Sequence, residues 1–155
     1  MSELRKLLDF ATETAFQAGQ LTLAYFQTGT QPDFKADDSP VTKDEKKAEE
    51  LIRARIEKRY PSHSIVGEEY GESNSGSSYR WFIDPIDGTR SFMRGVPLYA
   101  VLIGLEIDGR IEAGVSYFPG LGDMVYAASN EGCYWNGRRA YVSDTKTLDR
   151  AYFAF

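Results

Sequence analysis

The sequence predicts an α+β fold in which two long helices pack on an antiparallel sheet. Apolar residues recur at a spacing of three and four near the N-terminus and again after residue 42, which is typical of helices with one buried face. From residue 99 onward, short apolar runs alternate with Asp-Gly and Asn-Gly pairs, which is typical of strands joined by tight hairpins. The 155 residues are enough for one domain with its own core.

Capping residues delimit the two helices. Ser2 can cap a first helix that runs to about Phe26, and residues 27–40 form a loop by composition. Thr42 and Glu45 have the spacing of a capping box for the second helix, which Tyr60-Pro61 should end. The buried stripe of this helix should consist of four apolar residues, Ala48, Leu51, Ile52 and Ile56. Its opposite face is densely charged, and we expect that face to be solvated.

The strands are predicted from short apolar runs between turn signals. Asp108-Gly109 is a strong signal for a two-residue hairpin, and residues 71–78 form a Gly/Ser-rich loop. The predicted strands cover residues 64–66, 81–84, 99–107, 111–118, 124–127, 133–135, 138–142 and 151–155. The last of them closes the sequence without a polar tail, so we expect these residues to be the front part of a longer protein.

Composition restricts the partners and chemistries. Lys and Arg number 18 against 23 Asp and Glu, and the net charge of −5 argues against nucleic acid or membrane partners and favours a small molecule. No apolar run approaches the roughly 18 residues of a membrane span, so we expect a cytoplasmic location. The single cysteine, Cys133, and the single histidine, His63, argue against an internal disulfide, a zinc cluster and most histidine-based hydrolase mechanisms.

Most of the candidate catalytic and ligand residues lie in residues 81–95, WFIDPIDGTRSFMRG. Asp84 and Asp87 stand where an apolar run stops, and the proline after Asp84 biases it toward an extended backbone, so Asp84 should end a strand. Gly88 and Thr89 follow at the start of a predicted helix. Backbone N–H groups and the helix dipole favour a phosphate there.

Glu68 follows another short strand and can converge with Asp84 and Asp87 on one site. Three crowded carboxylates repel one another, and a hard divalent cation, Mg²⁺ or Mn²⁺, is the natural remedy. The Thr89 hydroxyl could orient a water for attack on phosphorus, and Glu68 could accept its proton. The residues therefore predict metal-assisted hydrolysis of a phosphate monoester. Each Asp-Pro, Asp-Gly or Gly-Glu pair alone is an ordinary turn, so the prediction depends on their combination.

Three segments resemble the inositol monophosphatase family of Mg²⁺-dependent, often lithium-sensitive phosphatases. They are DPIDGTRSF at residues 84–92, Gly67-Glu68-Glu69, and SPVTKDEKKAEELI at residues 39–52. Within the family, residues 81–106 look most like the bacterial histidinol-phosphate phosphatases of histidine biosynthesis. The resemblance implies a layered α/β sandwich, with residues 1–155 as its N-terminal metal-binding domain, and a homodimer.

The resemblance also implies a role for each matching residue. The metal ligands would be three carboxylates and one backbone carbonyl, from Glu68, Asp84, Asp87 and Ile86. They would bind two or three Mg²⁺ ions, with Mn²⁺ as a substitute. Glu68 and Thr89 would activate the water, and the amides of Gly88 and Thr89 would hold the phosphate. Lys35 matches a family lysine near the active site.

Two departures from the family pattern matter. A family Asp at the start of the second helix hydrogen-bonds the catalytic threonine, but Glu45 occupies that position here, with Asp44 one residue earlier, and we expect a looser contact with Thr89. The family's Trp-Asp-x-Ala-Ala element, whose aspartate completes the second metal site, does not occur in the sequence. We therefore expect the C-terminal domain to lie outside these residues and the 155 residues alone to have weak or no activity.

Three functions are consistent with these residues. The leading hypothesis is hydrolysis of histidinol phosphate to histidinol and phosphate, and the second is hydrolysis of inositol monophosphate. The third is a catalytically incomplete chain that binds metal or dimerises without turnover.

Overall fold

The fold is α+β, as predicted, with the two long helices on one face of a mixed eight-stranded sheet. The computed structural model describes residues 1–29, 33–34, 40–41 and 43–152. The helices in these ranges are α1 (Glu3–Tyr25), α2 (Lys43–Arg59), α3 (Thr89–Met93) and a 3₁₀ helix at Leu148–Arg150. Two short strands, β1 (Asp33–Phe34) and β2 (Pro40–Val41), pair antiparallel as a separate ribbon.

The large sheet is built mainly from antiparallel hairpins. In chain order its strands are β3 (Ser64–Gly67), β4 (Gly71–Ser73), β5 (Tyr79–Asp87), β6 (Ala100–Ile107), β7 (Arg110–Phe118), β8 (Asp123–Ala128), β9 (Gly132–Trp135) and β10 (Arg138–Ala140). Their spatial order is β10-β9-β8-β7-β6-β5-β3-β4. The predicted hairpin at Asp108-Gly109 is confirmed, and both residues have the positive φ that a tight hairpin turn requires.

The core lies between the helices and one face of this sheet. The Ser2 hydroxyl accepts a hydrogen bond from the Arg5 N–H at 3.0 Å, which confirms the predicted cap of α1. The buried residues of the core come from α1, α2 and alternate positions of the central strands, and they include Leu8, Ala15, Ile52, Ile56, Trp81, Ile83, Val101 and Ile103. Leu51, which was predicted in the buried stripe of α2, is only partly buried.

One strand pair departs from the predicted antiparallel sheet, because β3 pairs with β5 in parallel. Residues 71–73 of the predicted loop form β4, an edge strand that pairs antiparallel with β3. After β3 the chain therefore forms the edge strand β4 in the opposite direction, and it then crosses to the other side of β3, where β5 runs parallel to β3. Gly67 is opposite Ile83, so the next residues, Glu68 and Asp84, lie side by side at the end of this strand pair.

The charged face of α2 is not fully solvated, contrary to the sequence prediction. Asp44 and Glu45 are 3% exposed, and Glu49 is 0% exposed. Glu45 accepts a hydrogen bond from Thr89 after β5, and Glu49 accepts from the backbone after β3. The helix therefore has a second buried face, and that face is acidic.

Three further predictions concern residues near the limits of the described ranges. Ala151 and Tyr152 do not form the predicted terminal strand, and residues 153–155 lie outside the described residues. The same is true of Thr42, the predicted cap of α2, and of Lys35. No helix in the described part of the chain is long and apolar enough to cross a membrane.

Candidate active site

A β-bulge determines how Asp84 and Asp87 are presented. Asp84 is opposite Leu102 and Asp87 is opposite Ala100, so three steps along β5 match two steps along β6. Residues three apart on a regular strand face opposite ways, but the extra residue returns Asp87 to the face of Asp84. Pro85 lies inside the bulge, where its missing N–H does not interrupt a regular ladder. The bulge therefore brings both aspartates to one side of the sheet.

The carboxyl groups of Asp84 and Glu68 are hydrogen-bonded to each other near the ends of β5 and β3. The pKa of Asp84 is raised from 3.8 to about 8, first by burial, then by the charge of Glu68 and a hydrogen bond with it, and then by the charge of Asp87. The Ile86 N–H donates to Asp84 Oδ1 at 3.1 Å and acts in the opposite direction. A cation at this position would relieve the same repulsion.

Thr89 is held between α2 and the bulge. Its hydroxyl donates to Glu45 Oε1 at 2.6 Å and also lies 3.2 Å from the Ile86 carbonyl oxygen. The expectation of a loose contact with Glu45 is therefore wrong, because the longer side chain reaches the hydroxyl from its buried position on α2. Asp44, in contrast, lies 3.8 Å from Lys47 on the next turn of the helix.

Gly88 connects the strand to α3 in a conformation that favours glycine. Its φ is +93°, in the left-handed region, and a Cβ there would lie 2.9 Å from the Leu98 carbonyl oxygen. Helix α3 begins at the next residue and is five residues long. This turn leads directly from the strand that carries Asp84 and Asp87 to Thr89.

Sequence reasoning missed Glu49, which organises the other side of the site. Its side chain is fully buried and accepts hydrogen bonds from the N–H groups of Glu69 and Tyr70, directly after Glu68. The signal was available, because Glu45 and Glu49 continue the spacing of Ile52 and Ile56 along one side of α2. From the sequence, Glu45 is a candidate partner of Thr89, whereas Glu49 is expected on the solvated face.

The oxygen donors suit a hard cation, although they do not form a complete coordination shell within the described residues. Within residues 43–152 and the shorter described ranges, no three His, Cys, Asp or Glu side chains converge closely enough to ligate one ion. The Glu68–Asp84 pair and the Ile86 carbonyl supply oxygen donors of the kind that Mg²⁺ prefers, with Asp87 near enough to raise the pKa of Asp84. The four-ligand assignment therefore stays a prediction.

The acidic pair also forms the wall of an open groove of about 380 Å³ on the sheet face opposite the helices. The other residues that line the groove are Val66, Gly67, Phe82, Ile83, Leu102 and Gly104.

The comparison with known proteins identifies the family. The sequence profile of the Inositol monophosphatase family matches residues 3–154. The chain belongs to the inositol monophosphatase family. This confirms the resemblance that the three sequence motifs carried.

Individual relatives of the family support the same assignment. The histidinol-phosphatase of Chlorobaculum parvum is 48% identical over 137 residues, which cover 88% of this chain and 53% of that protein. The fructose-1,6-bisphosphatase/inositol-1-monophosphatase of Aquifex aeolicus is 37% identical over 153 residues, which cover 97% and 58%. The extragenic suppressor protein suhB of Bartonella henselae has a similar fold, with a TM-score of 0.85 and 31% identity over 90% of this chain and 55% of that one. The chain thus spans about half the length of these inositol monophosphatase relatives.

Proposed function

We propose that this chain carries the metal-binding part of a Mg²⁺-dependent phosphomonoesterase that hydrolyses histidinol phosphate to histidinol and phosphate. The observation that carries the proposal is that the Glu68 and Asp84 carboxyl groups meet, while Ile86 links Asp84 to Thr89, whose hydroxyl is anchored by Glu45. Two carboxyl groups that repel each other next to a fixed hydroxyl are suited to hold a cation and a water. The phosphatase names of two of the relatives support the reaction class.

Four groups would hold the metal in this proposal. They are the side chains of Glu68, Asp84 and Asp87 and the backbone carbonyl of Ile86. When bound, Mg²⁺ supplies positive charge for the phosphate oxygens and lowers the pKa of a neighbouring water. Burial, and then repulsion from Glu68 and Asp87, raises the pKa of Asp84 to about 8, and this supports the ligand set because a cation would favour the ionised carboxylates.

Glu68, Thr89 and Gly88 also position the substrate and the attacking water and accept the proton of that water. Glu68 accepts a proton from the attacking water, and Thr89 orients that water through its hydroxyl. The Thr89 hydroxyl donates a hydrogen bond to Glu45, with 2.6 Å between Oγ1 and Oε1. The hydroxyl oxygen is therefore left to face the site as an acceptor. The amides of Gly88 and Thr89 hold the phosphate, and the turn at Gly88 supports this role because it lets the backbone approach closely.

Histidinol phosphate is the first candidate substrate because the relative named for that activity is 48% identical to this chain. Inositol monophosphate is the second, and the Aquifex aeolicus relative, named in part for that activity, supports it. The third candidate is a chain that binds metal or dimerises as a homodimer without turnover. It is supported by the span of about half the length of the relatives.

Phosphate release distinguishes these candidates. Initial rates are measured for histidinol phosphate and inositol 1-phosphate with and without millimolar Mg²⁺, alongside calorimetric titration of the protein with Mg²⁺. A larger Mg²⁺-dependent kcat/KM for histidinol phosphate supports the proposal, and a larger value for inositol 1-phosphate replaces the substrate. Mg²⁺ binding without release from either supports the incomplete chain. If the protein neither binds Mg²⁺ nor releases phosphate, the proposal is wrong.

A further inference from the structure

Helix α2 contacts residues that closely follow the proposed metal ligands at the ends of β3 and β5. Glu45, near its start, accepts the hydroxyl of Thr89 in the segment that follows β5. Glu49, one turn later on the same side, accepts from the backbone that follows β3. Residues four apart on a helix lie one above the other, so the two carboxylates face the two segments from a single rigid element.

Glu49 uses both of its oxygens. Oε2 accepts from the Glu69 N–H at 2.7 Å, and Oε1 accepts from the Tyr70 N–H at 3.1 Å. Oε1 also pairs with Arg53 Nε at 2.8 Å, one turn farther along α2. Burying an unpaired carboxylate is strongly unfavourable, so complete burial of Glu49 is tolerated only because these three donors surround it.

The contacts of Glu49 with Glu69, Tyr70 and Arg53 form a clamp, which extends to both sides of the turn that begins at Glu68. Arg53 Nη2 donates to the carbonyl oxygen of Gly71, which is the first residue of β4. Gly67, the last residue of β3, packs so closely on Glu49 that a Cβ would overlap the carboxylate. Glu68 itself is exposed, and its own side chain is not needed for any of these contacts. The backbone position of Glu68 is therefore determined by its neighbours through Glu49.

We propose that Glu49 is a positioning residue that holds Glu68 in register with Asp84 for metal binding. The inference rests on the proposed function. Glu49 lies behind the turn and does not touch the metal or the substrate. Its buried carboxylate orders the Glu69 and Tyr70 amides, and this fixes the position from which the Glu68 carboxylate projects beside Asp84. Partners behind a ligand commonly change metal affinity by about 10- to 100-fold when they are altered.

Glu49→Gln tests the inference with little change of volume. The amide has one oxygen, so its NH₂ group must face either the Glu69 N–H, which loses one hydrogen bond, or the Tyr70 and Arg53 donors, which loses two. Glu57→Gln is the matched control, because Glu57 is an exposed residue of the same helix. Both variants and the wild type are titrated with Mg²⁺ by NMR, which also reports amide exchange at Glu69 and Tyr70.

We expect the Mg²⁺ dissociation constant of Glu49→Gln to rise about 10- to 100-fold, with faster exchange confined to the turn after Glu68. Glu57→Gln should behave as the wild type. In the background of Glu68→Gln, a further Glu49→Gln change should have little additional effect on Mg²⁺ binding, whereas a general loss of structure would weaken it again.

Three outcomes would overturn the inference. The first is wild-type Mg²⁺ affinity in Glu49→Gln, and the second is an equal loss of affinity with and without the Glu68 carboxylate. In both, the wild type still binds Mg²⁺ and the proposed function stands. The third is a wild type that neither binds Mg²⁺ nor releases phosphate, in which case the proposed function is wrong and the role of Glu49 falls with it.

Discussion

Replacing Asp84 with Asn should stabilise the metal-free protein and at the same time weaken Mg²⁺ binding. In the folded protein the pKa of Asp84 is about 8, against 3.8 for an unperturbed side chain, because the carboxyl group is buried beside Glu68. A raised pKa contributes stability that is complete below the unfolded pKa and is lost as the pH rises through the folded one. The wild type should therefore lose stability between pH 3.8 and about pH 8.

The size of this effect follows from the two pKa values. At about 1.36 kcal/mol for each pH unit, the difference corresponds to several kcal/mol. Asp84 is only partly buried, so solvent screening reduces the effect to about 1–3 kcal/mol in the free energy of unfolding. An asparagine does not ionise, and its NH₂ group can still donate to Glu68. Asp84→Asn should thus be more stable than the wild type by about 1–3 kcal/mol at about pH 8.5 and by much less near pH 4.5.

Magnesium should reverse this order. The wild type gains about 4.1 kcal/mol when free Mg²⁺ is about 1,000 times its dissociation constant, whereas Asp84→Asn gains little because a ligand is missing. Urea unfolding followed by tryptophan fluorescence, at the two pH values and with or without Mg²⁺, measures all four combinations. Asp108→Asn is the control, because it makes the same change in an exposed hairpin turn where asparagine is well accommodated.

Two results would refute the reasoning about Asp84. One is a variant that is less stable than the wild type at about pH 8.5 without Mg²⁺, because the carboxyl pair would then be favourable in its ionised form. The other is a variant that Mg²⁺ stabilises as much as it stabilises the wild type, because Asp84 would then not be a ligand.

Three further substitutions test other contacts. Gly67→Ala should lower the free energy of unfolding by about 1–3 kcal/mol in urea titrations, because the new Cβ overlaps Glu49, whereas Gly114→Ala, with open space around it, should change it little. Glu45→Gln should slow Mg²⁺-dependent phosphate release about 10- to 100-fold, because it weakens the hold on a threonine hydroxyl; unchanged initial rates would contradict this. Burial lowers the pKa of His63 below 6.5, so its contribution to stability is present above pH 6.5 and is lost as the pH falls through the folded pKa. His63→Gln can still accept from the buried indole N–H without titrating, and its urea midpoint should fall less than that of the wild type on acidification.

Local patterns predicted most of the elements correctly. The Ser2 cap, the end of α2 before Pro61 and the Asp108-Gly109 hairpin each depend on a few neighbouring residues. Such features are read from the sequence because the competing conformations are excluded by local sterics and hydrogen bonding. The parallel pairing of β3 with β5 depends instead on where the edge strand β4 lies, and no local pattern specifies that.

The candidate site shows the same division. Asp84, Glu68 and Thr89 were recognised because their motif is local and specific, and the structure brings Asp84 to Glu68 and Thr89 to a carboxylate. Glu45 was expected to reach poorly, and Glu49 was overlooked. A helical wheel distinguishes an acidic residue from an apolar one, but it does not show which acidic residues will meet backbone donors from a distant loop.

The sequence by itself determined that the chain has two helices on a β-sheet and an acidic motif of the inositol monophosphatase family. Only the tertiary structure decided how that motif is held: a bulge returns Asp87 to the side of Asp84, and α2 supplies buried carboxylates to the loops after β3 and β5. The physical reason is that caps, turns and apolar periodicity depend on neighbouring residues. The burial of a charge depends on donors that arrive from other parts of the chain.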